Sequence, residues 1–166
     1  MKRRTFLTKS LGVMVTGAAV ASLAGCGFHL RGQSEPLGFD RLTLVAPIGE
    51  LADSVRRELT NADVALVDDA PLRVNLGPES IQEYTLTAGG SGSQEIELRL
   101  SAPFSVQRTR DDAYLINQQQ IEVATTYLAN DSNLLVLSDL REQALDDLRR
   151  EAARQLLNRL RSLDTP

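Results

Sequence analysis

Between residues 96 and 106 apolar side chains fall on alternate positions, at Ile96, Leu98, Leu100, Phe104 and Val106. A period of two places them on one face of a long strand whose other face is wet. Between 145 and 163 the spacing changes to three and four, at Leu145, Leu148, Ala152, Leu156, Leu160 and Leu163. That is the apolar stripe of an amphipathic helix, and its plain role is to pack on a sheet. Asp139, with Glu142 three residues on, reads as a capping box opening this helix, and Asp146 with Arg150 as a supportive pair four apart.

The remaining elements are shorter. Residues 41–46 alternate and predict a first strand stopped by Pro47. Leu51, Ala52, Val55 and Leu59 share one face of a predicted helix ending near Asn61. Residues 64–67 predict a brief extended piece before Asp68, Asp69 and Pro71 turn the chain. Leu72, Val74 and Leu76 mark the next strand, Pro78 interrupts, and residues 81–87 resume it. Residues 88–93 are Gly- and Ser-rich and serve as a flexible connection. Residues 108–112 predict a hairpin loop, with a return strand over 113–127. Asn117, Gln118, Gln119 and Gln120 make that strand polar on both faces in its middle, which suits an edge or a wet cavity rather than a dry core. Strand, helix, three or more strands, helix is the order of an α+β sandwich with a largely antiparallel sheet.

The first 25 residues belong to none of this. A basic start (Lys2, Arg3, Arg4), an apolar run from about Leu11 to Leu23, and small residues before a cut site form an export signal. The run is too short to span a bilayer, which takes roughly 20 residues. Leu23-Ala24-Gly25-Cys26 resembles the lipobox of bacterial lipoproteins, which implies cleavage between Gly25 and Cys26 and acylation of the Cys26 sulfur. Two or three acyl chains anchor stably where one is marginal. In lipoproteins of this type an aspartate after the cysteine favours inner-membrane retention, so Gly27 points to the outer membrane. Arg3-Arg4-Thr5-Phe6-Leu7 also resembles a twin-arginine signal, and an ordinary secretory signal has the same basic start.

Charge narrows the partners. The precursor carries 18 basic and 22 acidic residues, and the signal removes Lys2, Arg3, Arg4 and Lys9, leaving 14 − 22 = −8. A chain so acidic is a poor nonspecific binder of nucleic acid. Catalytic candidates are scarce. His29 is the single histidine and Cys26 the single cysteine, so no histidine-based triad or histidine-rich metal site can be built in the domain. Asp68-Asp69, Asp111-Asp112 and Asp146-Asp147 read as solvated charge. Gly89-Gly90-Ser91-Gly92 lacks the lysine and the strand-to-helix context of a phosphate loop. The residues predict neither enzyme, cofactor nor metal.

Cys26-Gly27-Phe28-His29-Leu30-Arg31-Gly32 resembles the start of the mature LPS-assembly lipoproteins, the LptE or rare lipoprotein B family, and Ala152-Ala153-Arg154-Gln155-Leu156 in the last helix fits the same pattern. The resemblance covers nearly all of residues 26–163. It implies two helices on a small, largely antiparallel sheet of about four strands, in a domain over 41–166 behind an acylated leader, 26–40. It further implies an outer-membrane protein that plugs an LptD-like β-barrel, helps it assemble and binds lipopolysaccharide. The polar stretch Asn117, Gln118, Gln119 and Gln120 would face that barrel. The family's lipopolysaccharide contacts are basic residues in the loop after the second long strand and just before the last helix. Here those places, 89–92 and 133–139, hold no Arg or Lys. Arg99, Arg108 and Arg110 are the nearest alternatives for that ligand, with solvated hairpin charge as their plainer role.

Overall fold

A computed structural model describes residues 37–87, 93–129 and 134–163. The element order is β1 (Arg41–Val45), α1 (Glu50–Asn61), β2 (Ala65–Leu66), β3 (Leu72–Leu76), β4 (Ser80–Thr85), β5 (Gln94–Arg108), β6 (Ala113–Ala129) and α2 (Leu134–Arg161). Both helices pack on the sheet and on each other, so the α+β class and the two-helix arrangement hold. The sheet has six strands rather than about four, and it is mixed. β1 runs parallel to both β2 and β3, while β3, β4 and β6 are antiparallel to β5. The brief extended piece foreseen at 64–67 is β2, only two residues long but hydrogen-bonded on β1.

β5 is the spine. Along one edge it pairs with β3 over Phe104–Arg108 and with β4 over Ile96–Ser101, and along the other with β6 over its whole length. Gly77 lies where β3 hands over to β4, and its N–H donates to the Pro103 carbonyl at 2.8 Å. Alternation on β5 sends Ile96, Leu98, Leu100, Ala102, Phe104 and Val106 under the helices, where all are buried. There all but Ile96 meet Leu51, Val55 and Leu59 of α1 and Leu148, Leu156 and Leu160 of α2 in one core. Each fully buried leucine contributes roughly 2 kcal/mol. Leu37 and Phe39 also pack against this core, so ordered packing begins before β1.

α1 ends as its pattern predicts. Asp63 adopts a left-handed φ of 59°, and the Val64 N–H closes back on the Leu59 carbonyl at 3.0 Å. α2 departs from its prediction in two respects. It begins at Leu134, so Asp139 is an exposed residue inside the helix and caps nothing. Leu134, Leu135, Val136 and Leu137 sustain helix ahead of it, and Ser138 Oγ donates back to the Leu135 carbonyl at 2.8 Å. Second, the pairing is by three rather than four: Asp146 meets Arg149 at 3.9 Å, and Arg150 meets Asp147. Because α2 lies against both α1 and the sheet, its buried arc is wider than the expected stripe and adds Ala144, Ala153 and Leu157.

Candidate interaction surfaces

β6 leaves regular pairing within the stretch 117–120, at Asn117 and Gln118. Gln119 sits opposite Phe104 and Ile116 opposite Val106, so β6 advances three residues while β5 advances two. The extra residue makes a β-bulge, with Gln118 at a left-handed φ of 36°. A second irregularity follows directly, because Tyr114 faces Gln107. The polar run therefore needs no buried face. Asn117, Gln118, Gln119 and Gln120 are all exposed, as expected of an edge or wet cavity. Gln119 is also tied inward, where its Oε1 accepts from Arg159 Nη1 of α2 at 3.2 Å.

The three candidate arginines do not converge. Arg99 and Arg108 lie nine positions apart on β5 (108 − 99), about 30 Å of strand, and on opposite faces by parity. Arg99 is held by Glu97 at 2.8 Å and lies 5.4 Å from the centre of the Tyr84 ring. Arg108 and Arg110 both address Asp111, at 3.0 and 3.9 Å. The hydrogen bond from Arg108, with help from the Ala113 N–H and both guanidinium charges, outweighs partial desolvation and holds the Asp111 carboxyl below the usual carboxylate range. An anionic ligand at any of the three would have to displace an acid already in place.

The carboxylate pairs lie at the surface. Asp68 and Asp69 are exposed in the turn after β2, and Asp146 and Asp147 are exposed on α2. Among the described residues, no three His, Cys, Asp or Glu side chains group to hold a metal ion. No described helix is long and apolar enough to cross a membrane. Gly25, Cys26 and the motif to Gly32, like Gly89-Gly90-Ser91-Gly92 and Asn133, lie outside the described residues.

Other surfaces were not foreseen. At one end of the sheet Leu86 donates its N–H to Glu95, and Glu95 faces Leu128 across β5 and β6, which puts two exposed leucines on one face. Leu135, Val136 and Leu140 of α2 are exposed too, and Leu134-Leu135-Val136-Leu137 was an apolar run that no predicted element had absorbed. Here Arg141 of α2 reaches Glu83 of β4 at 3.1 Å. Burial, with the Glu83 charge, raises the neighbouring Tyr127 hydroxyl above its ordinary pKa against the pull of Arg141. Elsewhere a small apolar cleft is lined by Pro47, Ile48, Leu51, Ala52, Leu76 and Pro78, with Ile48 fully exposed.

This arrangement of two helices on a bulged sheet can be compared with known proteins. Residues 40–160 match the model of the family described as "LptE: Lipopolysaccharide-assembly". The chain belongs to the LptE family. It is 32% identical to the LPS-assembly lipoprotein LptE of Pectobacterium atrosepticum, over 94% of this chain and 95% of that one. With the protein of the same name from Yersinia pestis it shares 31% identity, over 89% of this chain and 73% of that one. The rare lipoprotein B structure from Shewanella oneidensis superposes with a TM-score of 0.63 at 26% identity, covering 74% of this chain and 94% of that one. Lipoprotein B from Nitrosomonas europaea, at 23% identity, shares the fold with a TM-score of 0.63, covering 81% and 88%. LptE membership makes this an LPS-assembly lipoprotein, in accord with the resemblance carried by residues 26–32 and 152–156.

Proposed function

We propose that this LptE-family chain is a non-catalytic outer-membrane lipoprotein, tethered through acyl chains on Cys26, that plugs an LptD-like β-barrel and helps it assemble and insert lipopolysaccharide into the outer leaflet. The observation that carries the plug is the exposed bulge at Asn117 and Gln118, with exposed Gln120 two residues along the same strand. It presents side-chain amides, which donate and accept hydrogen bonds without bringing charge. The interior of a large transmembrane barrel is polar and wet, and such groups suit its wall. The open sheet face continues the same chemistry through Asn75, Ser105 and Gln107, whose side chains are already joined by hydrogen bonds of 3.1 and 3.2 Å.

The test is co-purification of the tagged full-length chain from mild detergent, with a photo-crosslinking amino acid at Asn117, Gln118 or Gln120. The reading expects a large β-barrel in the eluate and crosslinks to residues that face its lumen. Recovery of the monomer alone, with no crosslinked barrel, would overturn it.

A second reading, a free-standing lipoprotein that binds a lipid or peptide from the periplasmic side, draws on the exposed Leu86, Leu128, Leu135 and Val136. It expects the purified chain to retain an apolar ligand without any barrel, detectable by mass spectrometry of the lipid extract.

A further inference from the structure

At the end of the sheet farthest from the β5–β6 hairpin, the face turned away from the helices is apolar at its margins. Strand register sets Leu86, Glu95 and Leu128 in one row across β4, β5 and β6. The next row, two residues along, is Tyr84, Glu97 and Thr126, and the one after it is Gln82, Arg99 and Ala124. By parity these rows lie on the opposite face from Ile96 and Leu98, which are under the helices. Leu86 and Leu128 are 50% and 64% exposed, so both stand clear of the sheet, about 10 Å apart with Glu95 between them. Tyr84 is exposed beside them. Three large apolar side chains left open on one face mark a surface that another molecule covers.

Charge decides what kind of molecule that is. Arg99 is already engaged, by Glu97 at 2.8 Å and by the Tyr84 ring. On the helix side Arg141 is engaged by Glu83. Glu95 is half-buried, and among the described residues no cation pairs with it. The neighbouring chain cannot supply one, because the sequence has no lysine, arginine or histidine from 74 to 98 or from 111 to 140. Glu122 adds a further negative charge along the same face. An anionic headgroup would therefore meet Glu95 and Glu97 with no uncommitted cation to offset them. A bare acyl chain would cover the leucines but leave the Glu95 carboxylate against hydrocarbon, which is costly. An arginine or lysine side chain satisfies both parts of the surface. Its aliphatic stem lies between Leu86 and Leu128 while its charged head reaches Glu95.

We propose that the surface formed by Tyr84, Leu86, Glu95 and Leu128 docks a segment of another polypeptide in which an arginine or lysine is flanked by apolar residues, with Glu95 receiving the cation. The flanking apolar residues cover Tyr84 and the two leucines. Leu128 lies ten positions from Gln118 (128 − 118), about 30 Å of strand, so this surface is separate from the bulge and does not depend on the plug reading.

The experiment places a photo-crosslinking amino acid at Thr126 of the acylated full-length chain in living cells, and maps the captured segment by mass spectrometry. The expected product is a polypeptide segment with arginine or lysine among apolar residues. Glu95→Gln keeps the volume and removes the charge, and is expected to lower the crosslink yield about tenfold with the folded spectrum unchanged. Glu95→Arg should abolish the crosslink, and changing the mapped basic residue to glutamate should restore it. That exchange separates charge recognition from loss of fold. A crosslink to lipid alone, a captured segment without a basic residue, no crosslink at all, or a yield unmoved by Glu95→Gln would each overturn the proposal. Crosslinking from Asn117 tests the plug on its own, so the two readings can fail separately.

Discussion

Arg149 of α2 holds the Glu79 carboxylate just ahead of β4 through two nitrogens, Nε to Oε2 at 3.2 Å and Nη2 to Oε1 at 3.0 Å. Its third nitrogen reaches Glu50 in the first turn of α1, so one guanidinium joins both helices to the sheet. The side chain is only 11% exposed. Burial alone would pull its pKa down, but the hydrogen bond to Glu79 and the charges of Glu79, Glu50 and Asp146 together raise it, so it stays charged at any workable pH. Arg149→Ala removes the fork and strands Glu79, and is expected to cost about 2 kcal/mol in urea unfolding. Arg149→Lys should recover less than half of that, because an ammonium cannot bind both oxygens in plane. A loss for the alanine variant no larger than that of an exposed pair, about 0.5 kcal/mol, would mean that the clasp is ornamental.

Gly77 offers a second test of packing. A Cβ built there would lie 2.6 Å from Pro103 Cγ and 3.3 Å from the Pro103 carbonyl oxygen, the same carbonyl that accepts the Gly77 N–H. Gly77→Ala therefore has to push β3 and β5 apart or repucker the proline ring, at an expected cost of about 1–3 kcal/mol. Pro103→Ala removes the obstructing ring, so the double variant should be more stable than Gly77→Ala alone. Losses that simply add in the double variant would show that the ring is not what the methyl meets.

The features that local pattern could reach were those with a clean period. β5 declared itself through Ile96, Leu98, Leu100, Phe104 and Val106, and α2 through its leucines. Parallel pairing of β1 with β3 was beyond reach, because it joins Thr43 to Arg73 across an intervening helix and leaves no local mark. Similarly, Thr43 looked like an ordinary strand residue. It is buried because its hydroxyl bridges Val67 and Ala70 in the turn before β3, a contact made across the fold. The start of α2 was misjudged because Asp139 has the chemistry of a cap, while the apolar residues before it already favour helix. As to surfaces, the polarity of Asn117–Gln120 was plain in the sequence, but the bulge beneath it depends on register against β5. The period of β5 and the hairpin at 108–112 already set Arg99 apart from Arg108 and Arg110, but that Asp111 engages both of the latter depends on how the hairpin closes.

The hairpin between β5 and β6 should respond to acid. Asp111 is held below its ordinary pKa chiefly by the Arg108 hydrogen bond. For a carboxyl depressed on folding, the associated stability is fully present above the unfolded value, about 3.9, and is lost as pH falls through the lower folded value. A carboxyl-carbon NMR titration should place the Asp111 midpoint below that of an unstructured aspartate, and Arg108→Ala should move it upward. Faster amide exchange at Ala113 should accompany protonation, because that N–H donates to Asp111 Oδ1 at 3.4 Å. A midpoint unmoved by Arg108→Ala would assign the depression to some other group.

Gln118 carries the most specific backbone claim. Its φ of 36° lies in the left-handed region, which side chains with a branched Cβ avoid most strongly. Gln118→Val is therefore expected to destabilise the chain by about 1–3 kcal/mol, although the residue is exposed and valine favours strands elsewhere. Gln118→Gly should come out near neutral, since relief of strain offsets the added freedom of the unfolded chain. Deleting Gln118 should be worse than either, because removing one bulge residue shifts pairing by one and turns the faces of Tyr114, Leu115 and Ile116. Urea midpoints for the three variants give the ranking glycine, then valine, then deletion. Should valine prove as stable as glycine, β6 would have to run through 118 as ordinary strand, and the bulge that presents Asn117 would lose its basis.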